Sequence, residues 1–399
     1  MHPPVYLDHA ATTPVRPEVL EAMQPFFGGV FGNPSSTHGA GRRARAALDD
    51  ARARMAHCLG AEPDEICFTS GGTEADNFAV LGAWRAGAAD GRAAVVTTPI
   101  EHKAVLAAGG QAAREGGELR VAQVDPDGTV DAASMCGLLG RDVAVCSIMA
   151  VNNETGVVQP VLDVAERARA YGIPVHVDAV QGFGTLDFDV RALPVDLLSV
   201  SGHKFGAPKG VGVLYVRRGT RLAPLLHGGG QDGGRRPGTE NVAFAVGMAV
   251  AAEQTLRERS ASALRLRVLR DAFEARLLAR LPTLVVHGRN TCRAPHISSV
   301  AVPGVPGRVV LDGLDARGIY VSGGSACQST SAAPSHVLLA MTRSPALAGN
   351  SIRVSLGHTT THAEVQRAAS AFVALMDEAL GADDVRVETF DDARAAAAV

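Results

Sequence analysis

Lysine is scarce in this 399-residue chain: of 38 basic side chains only Lys103, Lys204 and Lys209 carry a primary amine, and arginine supplies the rest. Any chemistry that needs an amine nucleophile therefore has three candidates. Net charge is scarce too. The formal charge of −3 gives no electrostatic case for nucleic acid as a partner. No run of about 20 apolar residues occurs, so no segment is expected to cross a bilayer. The opening Met-His-Pro-Pro lacks a basic stretch followed by an apolar one, so no secretory signal is expected and the expected location is cytoplasmic. The six cysteines, Cys58, Cys67, Cys136, Cys146, Cys292 and Cys327, form no C-x-x-C pair and no metal-ligand spacing. That argues against a disulfide framework and against a structural zinc site.

What the chain does have is apolar content, 46% of residues, enough for real cores at a length that suggests about two domains. From about residue 60 to 216, short β-branched runs alternate with helical stretches: 66–69, 94–97, 143–148, 175–178, 196–200 and 211–216. The amphipathic segment 161–171 ends at Gly172, a helix-stop signal. Strands buried on both faces with helical crossovers predict an α/β domain with a mostly parallel sheet. In such sheets ligands collect beyond the carboxyl ends of the strands. A long helical region from roughly Asn241 to Leu281 should link the sheet to a smaller, C-terminal α/β unit.

The unusual residues fall at those strand ends. Lys204 closes the run Ser199-Val200-Ser201-Gly202-His203-Lys204. A lysine leaving a buried strand must be paired, neutralised or held covalently as a Schiff base. The bland account is a surface lysine in a turn, which suits Lys103 and Lys209 better. Asp178 ends another apolar run, 26 residues earlier, and a buried carboxylate there needs a cationic partner such as a protonated pyridine nitrogen. Ser70-Gly71-Gly72-Thr73-Glu74 opens a helix after a third strand, where free N–H groups and the helix dipole suit a phosphate. By itself that turn is only a helix start; an acid, a lysine and an anion cradle together say more. In Ile352-Arg353-Val354-Ser355-Leu356, period-two alternation puts Arg353 and Ser355 opposite three apolar residues. Its guanidinium fork suits a substrate carboxylate, although a solvent-facing strand arginine would read the same way.

The chain resembles the cysteine desulfurases, fold-type I pyridoxal-phosphate enzymes of the aminotransferase class V group, in the class with a long cysteine loop. The resemblance rests on motifs in one order: residues 6–14, 32–36, 70–75, 101–105, 151–156, the Asp178 and Lys204 segments, 236–241, 324–327 and 352–357. It implies a large domain with a mostly parallel sheet over 16–258, a smaller α/β domain over 259–399 carrying the cysteine loop at about 322–334, and a 1–15 segment packed on the small domain. It further implies pyridoxal 5'-phosphate as cofactor, linked to Lys204, which also moves protons. His102 would stack on the ring and act as acid or base, Asn153 would seat the ring, Asp178 would hold the pyridine proton, and Gln181 would bond the phenolic oxygen. Gly72, Thr73, Ser201 and His203 would take the phosphate, joined across a homodimer interface by Thr239 of the second subunit. Asn33 would assist Arg353 with the substrate, L-cysteine.

Cys327 lies in Ser322-Gly323-Gly324-Ser325-Ala326-Cys327-Gln328-Ser329, small and polar with no apolar period, so its thiol is expected to be exposed and reactive as the thiolate. The other five cysteines sit near helical or strand patterns and are expected to be buried. The resemblance makes Cys327 the nucleophile that takes sulfur from cysteine as a persulfide, leaves L-alanine, and passes the sulfur to an acceptor or scaffold protein. Iron–sulfur cluster assembly and tRNA thiolation are two such outlets. No resident metal is expected, though Cys327 could transiently contact an iron–sulfur cluster. One departure stands out: Asp232-Gly233 occupies a place where relatives usually have a glutamate and an arginine.

Three rival readings are weaker. A metal hydrolase on His176, Asp178 and His203 leaves Lys204 unexplained. A catalytically silent sulfur-transfer scaffold would have lost Lys204, Asp178 or Cys327, and all three are present. A selenocysteine lyase shares the architecture, but Cys327 on a long loop favours cysteine as substrate.

Overall fold

The computed structural model describes residues 3–323 and 334–381, so Cys327 lies outside the described residues. Seven strands form the main sheet, in the spatial order Ile66–Thr69, Gly212–Val216, Leu197–Ser201, Val175–Asp178, Val143–Met149, Ala94–Thr97, Glu118–Val121. Only Gly212–Val216 runs antiparallel to its neighbours. The expected mostly parallel α/β sheet is therefore what the chain builds. Successive side chains of a strand face opposite ways: Ala94 and Val96 join one apolar cluster while Val95 joins another across the sheet. Helices Gly39–Leu59 and Val161–Ala170 cover the first face, and Gly72–Ala88 with Lys103–Arg114 covers the second. Gly172, at φ +62°, takes the left-handed conformation that stops Val161–Ala170, as its position after the amphipathic run predicts.

A third cluster gathers the second half of the chain. Leu266, Leu269, Phe273 and Leu277 of helix Val242–Leu278 pack there with Ile352, Val354, Phe372 and, from the amino-terminal segment, Val5 and Leu7. This unit holds a three-stranded antiparallel sheet, Ser351–Ser355, Ile297–Ala301 and Val285–Val286. Val5–Tyr6 pairs in parallel with Ile319–Tyr320.

Two expectations need correction. Five cysteines read as buried, yet Cys292 is exposed and Cys58 and Cys136 are only half-buried. Cys292 sits in the loop before the bridging residue Arg293, where its carbonyl is taken by the Val158 amide and its side chain is left outside. Lys103 also departs from the surface lysine expected: it is half-buried and faces the cavity described next.

Candidate active site

The parallel strands Ile66–Thr69, Ala94–Thr97, Val143–Met149, Val175–Asp178 and Leu197–Ser201 all end on one edge, and a cavity of about 230 Å³ opens there. Gly72, Thr73, His102, Asn153, Asp178, Gln181, Ser201, His203, Lys204 and Arg353 all line it. Ten of the residues singled out in the sequence thus meet in one place. Asn33 and Thr239 do not. Both are exposed, and they line a second hollow together with Phe27 and Phe31. A larger hollow, about 650 Å³, lies at the opposite edge of the sheet beside Ala144, Pro174 and Asp196. It holds none of these groups, and Arg191, Arg218 and Arg221 there are ion-paired to Asp189, Asp64 and Asp90.

The local sequence explains each placement. After Thr69 the chain turns through Gly71 and Gly72 into helix Gly72–Ala88. A Cβ on Gly72 would stand 2.9 Å from Val180 Cγ2 and 3.4 Å from Ser201 Cβ, so glycine keeps the cradle at the helix start open. Glu74 accepts from the Ser70 amide at 2.7 Å and from Arg236 at 3.0 Å, tying this turn to the loop that carries Thr239. That loop is held a second time. Asp232 sits in the left-handed region at φ +52° with its carboxylate 2.7 Å from Arg52 Nη1. The Asp232-Gly233 departure therefore supplies a turn and a buried anchor, since aspartate and glycine tolerate that backbone.

Asp178 ends its strand buried, with Oδ1 accepting from the Val180 amide at 2.9 Å. Burial raises its pKa, against which His102 and Lys204 pull down. Two more buried acids stand behind it. Burial, with the charge of Asp178, lifts Glu101 to about 8 and holds Asp76 well above the usual range. His176 bonds Ser147 Oγ at 2.8 Å and Ser199 Oγ at 2.9 Å through its two ring nitrogens, and burial depresses its pKa to about 3. With both nitrogens engaged it cannot serve the rival metal site, and no cluster able to hold a metal occurs among the described residues.

His102 caps helix Lys103–Arg114, its Nδ1 accepting from the Ala104 amide at 3.2 Å. The neutral ring therefore carries its proton on Nε2, and burial lowers its pKa so that this form prevails at pH 7. Lys204 leaves the turn Gly202–Lys204 and donates Nζ hydrogens to the carbonyls of Ala10 at 2.7 Å and Ala11 at 2.9 Å. Gln181 Nε2 reaches the same Ala10 carbonyl at 2.8 Å, and His203 Nδ1 meets Thr12 Oγ1 at 3.1 Å. Arg353 is 1% exposed, which excludes the solvent-facing strand arginine. Its Nη1 donates to the Asn153 carbonyl at 2.8 Å and its Nη2 to Asp8 Oδ1 at 2.8 Å. Asn152 Oδ1 accepts from the amides of Glu154 and Thr155, fixing the turn that presents Asn153 and Glu154 to the cavity.

Sequence reasoning missed Asp76, Glu154 and His336, which also line the cavity, and the Ala10 and Ala11 carbonyls that hold Lys204. Asp76 and Glu154 lie within or beside quoted motifs and were within reach. His336 lies outside every motif singled out in the sequence, and the carbonyls carry no residue-type signal because backbone oxygens are the same in every residue.

Comparison with known proteins agrees with this geometry. The aminotransferase class-V family matches residues 5–368. A cysteine desulfurase NifS from Azotobacter vinelandii is 45% identical over 364 residues, covering 91% of this chain and 90% of that protein. A cysteine desulfurase IscS from Dictyoglomus turgidum is 44% identical over 357 residues, 90% of each chain. A solved NifS-like protein superposes with a TM-score of 0.86 at 36% identity, covering 94% of this chain and 99% of its own. With the family matched nearly end to end and the lysine, acid and glycine turn converging on one cavity, the chain belongs to the class-V aminotransferases and, within them, to the cysteine desulfurases.

Proposed function

We propose that this protein removes sulfur from L-cysteine, releases L-alanine, and carries the sulfur as a persulfide on Cys327 to an acceptor protein. The observation that carries the reading is the single cavity in which Lys204, Asp178, Arg353 and the glycine-opened helix start converge. The residues present fit pyridoxal 5'-phosphate, the family's cofactor. A buried carboxylate raised in pKa by its surroundings awaits a cation, and the Gly72 cradle would be filled by a single Cβ. When bound, the cofactor supplies an aldehyde that condenses with amines and a ring that withdraws electrons.

The chain's own residues do the rest. Gly72, Thr73, Ser201 and His203 would bind the phosphate, Asp178 would hold the proton on the ring nitrogen, and Gln181 and Asn153 would fix the ring's orientation. Lys204 would supply the amine that anchors the cofactor and would then carry protons. His102, neutral with its proton on Nε2, would lie against the ring and exchange a proton near neutral pH. Arg353 takes the substrate carboxylate; Asn33, which lies outside this cavity in the hollow it shares with Thr239, has no part in it within one chain. The Cys327 thiolate forms a bond to the substrate sulfur as the carbon–sulfur bond breaks; the electron pair stays on carbon, and protonation there gives L-alanine.

The described ends flanking Cys327 support this role. Ser322 pairs with the Arg353 backbone at 2.7 and 3.1 Å, and Ser335 donates to Glu154. Five residues of chain from Ser322 span at most about 18 Å, so the chain length between Ser322 and Cys327 allows the thiol to reach Arg353.

We extend the proposal to a homodimer, with Thr239 completing the partner subunit's phosphate site. Its support is the hollow that Thr239 shares with Asn33 beside Phe27 and Phe31, 63% and 76% exposed. The domain boundary we place near residue 258, between the two buried halves of helix Val242–Leu278. No helix among the described residues is long and apolar enough to cross a membrane, and the proposed location is cytoplasmic. The proposed outlet is iron–sulfur cluster assembly, with tRNA thiolation or another transfer as the other outcome.

Cys327→Ser and Cys292→Ser test the sulfur path. Both variants should be yellow, with borohydride fixing the cofactor to Lys204. Cys327→Ser should release almost no sulfide from cysteine, whereas Cys292→Ser should turn over normally. Normal turnover by Cys327→Ser overturns the persulfide role, and a colourless protein that takes up no cofactor overturns the reading as a whole.

A further inference from the structure

The motif Tyr6-Leu7-Asp8-His9-Ala10-Ala11-Thr12-Thr13-Pro14 belongs to the resemblance but has no part in the chemistry assigned so far. In the fold it threads the cavity. The carbonyls of Ala10 and Ala11 hold Lys204, Thr12 meets His203, and Thr13 bonds the His203 carbonyl at 2.9 Å. Asp8 meets Arg353.

That last contact is tightly built. Asp8 bridges Ser355 in parallel, and the Ala10 amide donates to Ser355 Oγ at 2.9 Å, two residues beyond Arg353. Tyr6 Oη donates to the Asp8 carbonyl at 3.1 Å and to the Thr12 carbonyl at 3.0 Å, which fixes the turn on either side. The Arg353 side chain is 2% exposed and that of Asp8 20%. A buried guanidinium must be paired and its rotation restrained. Here one arm lies on the Asn153 carbonyl and the other on Asp8 Oδ1, while Nε has no hydrogen-bond partner. Two anchors at opposite arms set the plane of the fork. Remove Asp8 and only the Asn153 carbonyl is left to orient it.

We propose that Asp8 is the positioning residue of the substrate-carboxylate site: by holding Nη2 of Arg353 it fixes the plane in which the guanidinium receives the carboxylate of L-cysteine. The role works through an oxygen acceptor at the right place, so geometry rather than the aspartate charge carries it. The inference rests on the reading of Arg353 as the carboxylate ligand.

The test compares L-cysteine with cysteamine, which has the same amine and thiol but no carboxylate, on holoenzyme of the wild type, Asp8→Ala, Asp8→Asn and Arg353→Ala. Steady-state kinetics with L-cysteine, absorbance titration with each compound, cofactor content and melting temperature are measured. Asp8→Ala should raise KM for L-cysteine at least about tenfold with kcat within about threefold, and leave cysteamine half-saturation unchanged. Asp8→Asn keeps an acceptor oxygen and should return KM to within about threefold of the wild type. An equal loss for both compounds, an unchanged KM in Asp8→Ala, or an Asp8→Asn variant as impaired as Asp8→Ala overturns the proposal. If Asp8→Ala does not fold, Asp8→Glu replaces it: displaced by one methylene, its carboxylate should raise KM for L-cysteine alone, and a wild-type KM there overturns the proposal. Arg353→Ala separates the two claims. An unchanged KM for cysteine there removes Arg353 from the carboxylate site, whereas a raised KM there with a normal Asp8→Ala removes only Asp8.

Discussion

Replacing Glu101 with glutamine isolates what a buried acid does to this fold near neutral pH. The side chain is fully buried, with Oε1 accepting from Thr98 Oγ1 at 2.9 Å and from the Met149 amide at 2.8 Å. Oε2 has no hydrogen-bond partner. Burial first, and the Asp178 charge second, lift the pKa from 4.5 to about 8. The folded protein thus keeps a proton that the unfolded chain has lost between those values. For an acid raised in this way, stability is fully present below pH 4.5 and is lost as pH climbs through the window toward 8. The loss is about 1.4 kcal/mol per pH unit, with a ceiling of about 5 kcal/mol at the top of the window. Glutamine keeps the Oε1 acceptor and abolishes the titration, but places amide hydrogens where Oε2 has no partner, at about 1–3 kcal/mol. The two effects differ in their dependence on pH. At pH 5 the titration has cost only about 0.7 kcal/mol, so the amide penalty is the larger and Glu101→Gln should melt below the wild type; at pH 8 the titration outweighs it and the variant should melt above. Thermal and urea denaturation of both holoenzymes from pH 5 to 8 would show the crossing. Parallel curves through that range would mean that Glu101 is ionised in the folded protein, and would refute the argument.

Gly72→Ala puts a methyl group 2.9 Å from Val180 Cγ2 in the phosphate cradle and should weaken cofactor binding at least about tenfold. A titration of apoprotein with pyridoxal 5'-phosphate checks this, and unchanged affinity would contradict the assignment of the cradle. Burial depresses His176 and His296 to about 3 and His287 to about 4, so the fold keeps them neutral while the unfolded chain protonates near 6.5. Stability should therefore drop as pH falls from 6.5 toward 4, by up to about 1.4 kcal/mol per pH unit for each group. Urea midpoints at pH 7 and pH 5 measure it, and alanine in place of His287 should flatten part of that slope. An unaltered slope in that variant would show that His287 does not titrate as described.

Much of this molecule is legible in its sequence, for a physical reason. Parallel strands buried on both faces read as apolar runs, and polar residues at their ends stand out against them. Lys204, Asp178 and the Gly72 turn were visible in that way. The edge strand Glu118–Val121 was not, because its outer position leaves Glu118 and Val121 exposed and erases the apolar run. Arg353 was ambiguous, since alternation tells which face a residue takes and not what covers that face. Lys103 and Cys292 were misjudged because burial at a helix start or a loop depends on what folds over it. Least legible was the role of residues 6–14: the segment stood out as a motif, but it meets Lys204 and Gln181 through main-chain oxygens, which leave no trace in side-chain type.

Helix Val242–Leu278 has 37 residues, about 55 Å of uninterrupted hydrogen-bonded backbone. Its first turns are embedded in the core behind Lys204 and its last in the core behind Arg353, with no buried residue between Ala252 and Leu266. A beam cast into two foundations resists bending between them. On the roles proposed for Lys204 and Arg353, the separation of amine and guanidinium is thereby preset before any amino acid arrives, and the enzyme would gauge its substrate against a stiff ruler, one on which a β-amino acid, whose amine and carboxylate stand one methylene further apart, overruns the mark.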